Sequence, residues 1–159
     1  MNHKILNKLE KMIHNSPQLL RQPETLKHAI QGTFDIELDD VNYTNVGELV
    51  DRIDDKILDN YFRNHWQGAM SKYKFSGPAL IGEVNALKPR KVLDIGCGYH
   101  EFKGKIDNLI GIDPYNSNAD IEVKLLDYHP TEKYDATVAL GSINFGSTDK
   151  IFAELEHAV

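Results

Sequence analysis

The chain has 159 residues, enough for one compact domain with an appendage and short for two independent ones. Hydrophobic residues make up 41% and charged residues 26%, an ordinary globular composition that excludes a largely disordered protein. With 18 Lys and Arg against 24 Asp and Glu, the net charge of -6 provides no global positive field to gather nucleic acid or an anionic membrane.

The one cysteine, Cys97, has no partner for an internal disulfide, and the opening Met-Asn-His-Lys-Ile-Leu lacks the apolar stretch of a secretory signal. No apolar run approaches the roughly 20 residues of a membrane-spanning helix. These features predict a soluble, cytoplasmic protein.

In chain order, Ile5, Leu6, Leu9, Met12 and Ile13 recur at helical spacing, and Ser16-Pro17 stops that helix and starts another. The second helix runs to Gly32 with a break expected at Pro23. Phe34, Ile36 and Leu38 alternate with Asp35 and Glu37, the period of a short strand or an extended arm. Asn45 with Glu48 forms a capping-box pattern opening a long amphipathic helix whose apolar face holds Val46, Leu49, Val50, Ile53, Ile57, Tyr61 and Phe62. This helix is expected to reach Trp66 and fade before Phe75-Ser-Gly-Pro78, where the proline opens the next one, closed by Lys88-Pro89. The aromatic cluster Tyr61, Phe62, Trp66 and Tyr73 reads as core on a helical face rather than as a stacking surface for bases.

Beyond Pro89 the pattern changes. Residues 91–95, 109–113, 121–126 and 135–140 are short runs rich in Val, Ile and Leu, each ending in a polar or glycine loop, as buried parallel strands do. A last helix over 147–159 places Ile151, Phe152, Leu155, Ala158 and Val159 on one face.

The chemistry concentrates at Asp94-Ile-Gly96-Cys97-Gly98, directly after the first of these strands, where an open parallel sheet places a ligand. Glycines there let the backbone approach a ligand closely and adopt positive φ while its N–H groups stay free as donors. Tyr99-His-Glu-Phe-Lys stands where a dinucleotide fingerprint wants a third glycine opening a full helix, which argues against a nicotinamide enzyme.

Val92-Leu-Asp94-Ile-Gly96-Cys97-Gly98 instead resembles the first motif of class I S-adenosylmethionine-dependent methyltransferases: an apolar strand, an acid, any residue, Gly, any residue, Gly. Leu109-Ile-Gly-Ile-Asp113 resembles the family's second strand, and Leu125-Leu-Asp127-Tyr128 the end of its third. Lys133-Tyr-Asp-Ala-Thr-Val-Ala-Leu-Gly141-Ser142-Ile-Asn144 is similar to the fourth. The resemblance covers residues 76 to 159.

It implies an α/β fold, the Rossmann-like three-layer sandwich with parallel strands, truncated after the fourth strand and its helix and preceded by an N-terminal helical region over 1–75 that would serve as a lid or a partner surface. It also implies S-adenosylmethionine as cofactor. Asp113 would accept from the ribose hydroxyls, Asp127 from the adenine amino group, and Tyr128 would line the ring. Gly141, Ser142 and Asn144 would line the methionine and methyl portion. Cys97 completes the glycine loop.

Two departures from the family pattern stand out. His100 occupies the place of a frequent third glycine, and only 14 residues separate Gly98 from Asp113, so the intervening helix must be short or irregular. The sheet also lacks the family's later strands, which predicts a fourth strand left as an exposed apolar edge, covered by a second copy or a partner chain. The seven histidines are scattered, and no metal site is expected. No general base or methyl acceptor is legible, and a cofactor-binding module without catalysis is the alternative to a methyltransferase.

Overall fold

The computed structural model describes residues 2–66 and 77–158. The expected fading of the long helix before Phe75, together with Tyr73 and Val159, lies outside them. The chain divides into two compact units, one over residues 1–65 with 146–148, the other over 66–145 and 149–159.

The first unit is helical. Asn2 caps α1 (His3–Asn15) by accepting from the Lys4 N–H at 3.1 Å, and Ile5 and Leu9 form its buried face. A 3-10 turn (Pro17–Arg21) and α2 (Pro23–Phe34) follow, with proline at the first helical position of each, so the break falls at Pro23 as expected.

α2 ends where Asp35 takes a left-handed φ of 54°, and the chain beyond it is an extended arm. Ile36 and Leu38 are buried and Glu37 exposed, which keeps the two-residue period without a strand partner among the described residues. The arm packs its alternate side chains on helices instead of building a ladder.

α3 (Val46–Asn64) is capped by Asn45, which accepts from the Glu48 N–H at 3.0 Å, while Glu48 reaches back to the Thr44 N–H and hydroxyl. Leu49, Val50 and Ile53 of α3 close a core with Ile5, Leu9, Leu19, Leu26, Ile30, Ile36, Leu38 and Val41.

The second unit is α/β. α4 (Pro78–Ala86) leads to β1 (Val92–Ile95), which lies between β2 (Leu109–Ile112) and β3 (Ala136–Val138) in a parallel sheet of order β2-β1-β3. Val92 pairs with Leu109 and with Ala136 across the two ladders. Val92 and Val138 pack with Phe102 and Ile106 in one cluster, to which α4 adds Ile81 and Val84. Leu93, Ile95 and Ile112 pack with Leu125 in another, joined by Tyr128, Tyr134 and Ala158.

Three expectations need correction or completion. Residues 121–126 do not form a strand: Ile121 makes one parallel bridge to Ile112, and by Leu125–Asp127 the chain is a 3-10 turn. Glu122 and Lys124 are exposed, and the Asp120 carboxylate already holds the Gly111 N–H on which a longer ladder would be built. The expected fourth strand is therefore the third, β3, which among the described strands pairs with β1 alone.

The link from Gly98 to Asn108 contains no regular helix, only turns that bury Phe102 and Ile106, in keeping with its short length. In α5 (Thr148–His157), Phe152 and Leu155 stay exposed, so the apolar face read from the sequence is only partly used. No described helix is long and apolar enough to cross a membrane.

Candidate functional site

The glycine loop leaves β1 and turns back over β2. Gly96 and Gly98 have φ of 64° and 52°, the left-handed region that glycine enters without penalty. His100 follows with φ 59°, so the position where a third glycine was expected adopts the glycine conformation with a histidine in it.

That histidine is held from outside the loop. Its Nε2 donates to the Asp120 carboxylate at 2.7 Å, and the ring lies so close to β2 that a Cβ on Gly111 would stand 2.6 Å from His100 Cε1. Asp120 also accepts from the Gly111 N–H at 2.9 Å and from Lys103 Nζ at 2.6 Å. Burial acts upward on the Asp120 carboxyl, but the Lys103, Gly111 and His100 donors together hold it well below the usual carboxylate range.

Six of the sequence-predicted residues come together. Asp94 is 3% exposed, and its carboxyl makes no hydrogen bond or ion pair to a described residue. Burial, opposed by His100 and reinforced by the Asp113 charge, pushes it up to about 6. Asp113, also buried, accepts from the Gly98 N–H at 3.0 Å and the Tyr115 N–H at 2.8 Å. Ser142 approaches so closely that a Cβ on Gly96 would lie 2.3 Å from its own Cβ. The Ser142 hydroxyl and His100 Nδ1 are buried without a hydrogen-bond partner among the described residues. The Cys97 thiol is pushed up to about 12 by burial and by the Asp94, Asp113 and Asp120 charges, which disfavours the thiolate at neutral pH.

Of the other four predicted residues, Asn144 is exposed, and the remaining three stand apart from this cluster. Asp127 is exposed on its 3-10 turn, and Gly141 is exposed with open space where a Cβ would go. Tyr128 packs in the cluster around Leu93 and Ile112, its hydroxyl bonded to that of Tyr134.

The loop amides also differ from expectation. Gly96 and Cys97 both donate to the Ile112 carbonyl, at 2.8 and 3.1 Å, and Gly98 donates to Asp113, so these three N–H groups are not free. The chain itself uses the space its glycines leave: Ser142 at Gly96, Trp66 at Gly98, and His100 with Cys97 at Gly111.

Sequence reasoning missed Asp120 and the position of Trp66. Asp120 meets His100 across 20 residues of chain, and no local pattern announces that contact. Trp66, read as part of a core face, is 37% exposed and stacked on Tyr99. No group of His, Cys, Asp or Glu that could hold a metal ion occurs among the described residues. No protein-family model, curated protein or solved structure matches the chain.

Proposed function

We propose that the second unit is a Rossmann-like S-adenosylmethionine-binding domain and that the chain is a methyltransferase acting on an unidentified acceptor. The observation that carries this reading is the pair of neighbouring acids at the ends of β1 and β2: Asp94, buried without a hydrogen-bond partner among the described residues, and Asp113 beside the glycine loop. Unneutralised carboxylates in low dielectric favour a cationic ligand. S-adenosylmethionine carries an ammonium and a sulfonium, and its ribose hydroxyls are donors.

The residues present fit such a ligand in their acids and their unpartnered polar atoms. Each Asp113 oxygen accepts one N–H and keeps a lone pair for a hydroxyl. Ser142 Oγ and His100 Nδ1 are buried groups in want of a partner. The cofactor supplies a methyl group on a sulfonium leaving group, open to in-line attack. The chain's contribution is then to orient, to exclude water and to balance charge. Asp94 sets the charge balance, and Asp113 fixes the ribose end.

A second reading, a related fold that does not take the cofactor, is favoured by the committed loop amides and by the filled space over Gly98. Calorimetric titration with S-adenosylmethionine separates the two. Binding by wild type, weakened at least tenfold in Asp113→Ala, supports the methyltransferase reading; no binding by a folded wild type supports the second. A cationic ligand also favours ionised Asp94, so affinity is expected to rise with pH through about 6, with proton release on binding below that value. Affinity flat across that range would remove Asp94 from the site.

A further inference from the structure

Trp66 lies directly on the glycine loop. A Cβ built at Gly98 would stand 3.1 Å from its Cη2 and 3.7 Å from its Cζ3, so the outer edge of the indole sits against the open side of that glycine. The ring is stacked on Tyr99, with centroids 5.5 Å apart and planes 22° from parallel. Gly98 is also the residue whose N–H the Asp113 carboxylate holds. A missing side chain at position 98 gives close access to the backbone only where nothing else fills the space, and here the indole fills it.

This contact differs from core packing. Trp66 keeps 37% of its surface in water and Tyr99 keeps 40%, whereas the apolar residues beneath the loop, Ile95 and Ile112, are almost fully buried. Rings that keep this much surface in water give up less buried apolar area on parting than a core contact does, so this contact is the easier of the two for a ligand to displace.

We infer that Trp66 is a stopper of the glycine loop: its indole occupies the space over Gly98 and must leave it before an adenosyl ligand reaches Asp113. The inference rests on the reading of this loop as an S-adenosylmethionine site. Binding then selects the population with the indole displaced, and apparent affinity is reduced by the fraction of chains in which it is in place. Removing the indole removes that handicap.

The test is calorimetric titration of wild type and Trp66→Ala with S-adenosylhomocysteine, together with wild-type fluorescence, which is unambiguous because Trp66 is the only tryptophan. Trp66→Ala is expected to bind roughly three- to tenfold tighter, the scale of one aromatic stack. In the wild type the ligand should move the emission to longer wavelength and open it to acrylamide quenching, as the indole enters water. Equal or weaker binding by a folded Trp66→Ala, when wild type binds, overturns the stopper and leaves the cofactor reading standing. An unmoved or blue-shifted wild-type emission on binding does the same, and decides the matter where the variant does not fold. If neither folded chain binds, the cofactor reading fails and the stopper with it.

Discussion

The two units bury different chemistry. The core of residues 1–65 is a cluster of leucine, isoleucine and valine, and the described residues that are both buried and polar or charged, namely Asp94, His100 and Asp113, all lie in the second unit. An apolar core tolerates a change of shape at the cost of a cavity. A core threaded by carboxylates and positive-φ residues depends on specific contacts, and its stability depends on pH. The first unit is built as a scaffold and the second as a site.

The sharpest way to break the contrast is Gly96→Ala. Its Cβ would meet Ser142 Cβ at 2.3 Å on a backbone with φ 64°, so a loss of about 3 kcal/mol or more is expected in the second unit, seen as an earlier transition in urea. Adding Ser142→Gly should recover the steric part and leave the backbone part of about 1 kcal/mol.

In the first unit, Ile30→Ala removes a fully buried side chain and should cost about 2–4 kcal/mol with little dependence on pH.

Asp94→Asn is expected to act with the opposite sign. The carboxyl is raised from 3.8 to about 6 in the folded chain, so the folded state binds more protons between those values, and wild-type stability should fall as pH rises from about 4 to about 6 and stay lower above. The shift corresponds to roughly 3 kcal/mol, of which the amide should recover about 1–2 kcal/mol at pH 7. Asp120 works the other way: its folded value is depressed, so its stabilisation is present at neutral pH and lost on acidification. The difference between wild type and Asp94→Asn isolates the Asp94 part, and a difference that does not change with pH would show that Asp94 is not raised.

The last effect is one of reactivity. With its thiol pushed up to about 12, Cys97 should react with a thiol reagent at pH 8 about a thousandfold more slowly in the folded chain than in urea. Equal rates would mean that the loop opens freely.

What was legible in the sequence follows the same division. Helical spacing located α1, α3 and α4, Pro17 and Pro78 marked helix starts and Pro23 a break, because proline and periodicity act locally. The runs at 91–95, 109–113 and 135–140 announced a parallel sheet through apolar content alone, and the strands lie within them. The run at 121–126 carried the same composition and failed as a strand because its place on the sheet edge was decided by Asp120, one residue before it. Asp94, Cys97, Gly98, Asp113 and Ser142 could be singled out because each falls in a stretch that resembles a motif of the methyltransferase family. The His100–Asp120 bond and the stack of Trp66 on Tyr99 could not, since they join residues far apart in the chain.

The grip of Asp120 on Gly111 carries one more consequence. The outward N–H of Gly111 is held by that carboxylate, its carbonyl accepts from the Asp120 and Ile121 N–H groups, and the Asp113 N–H donates to the Ile121 carbonyl. The β2 margin therefore offers few open backbone groups to a strand from another molecule, the event that starts edge-to-edge aggregation. A charged side chain and a single bridge thus protect this margin of the sheet, a task that many sheets give to a whole additional strand.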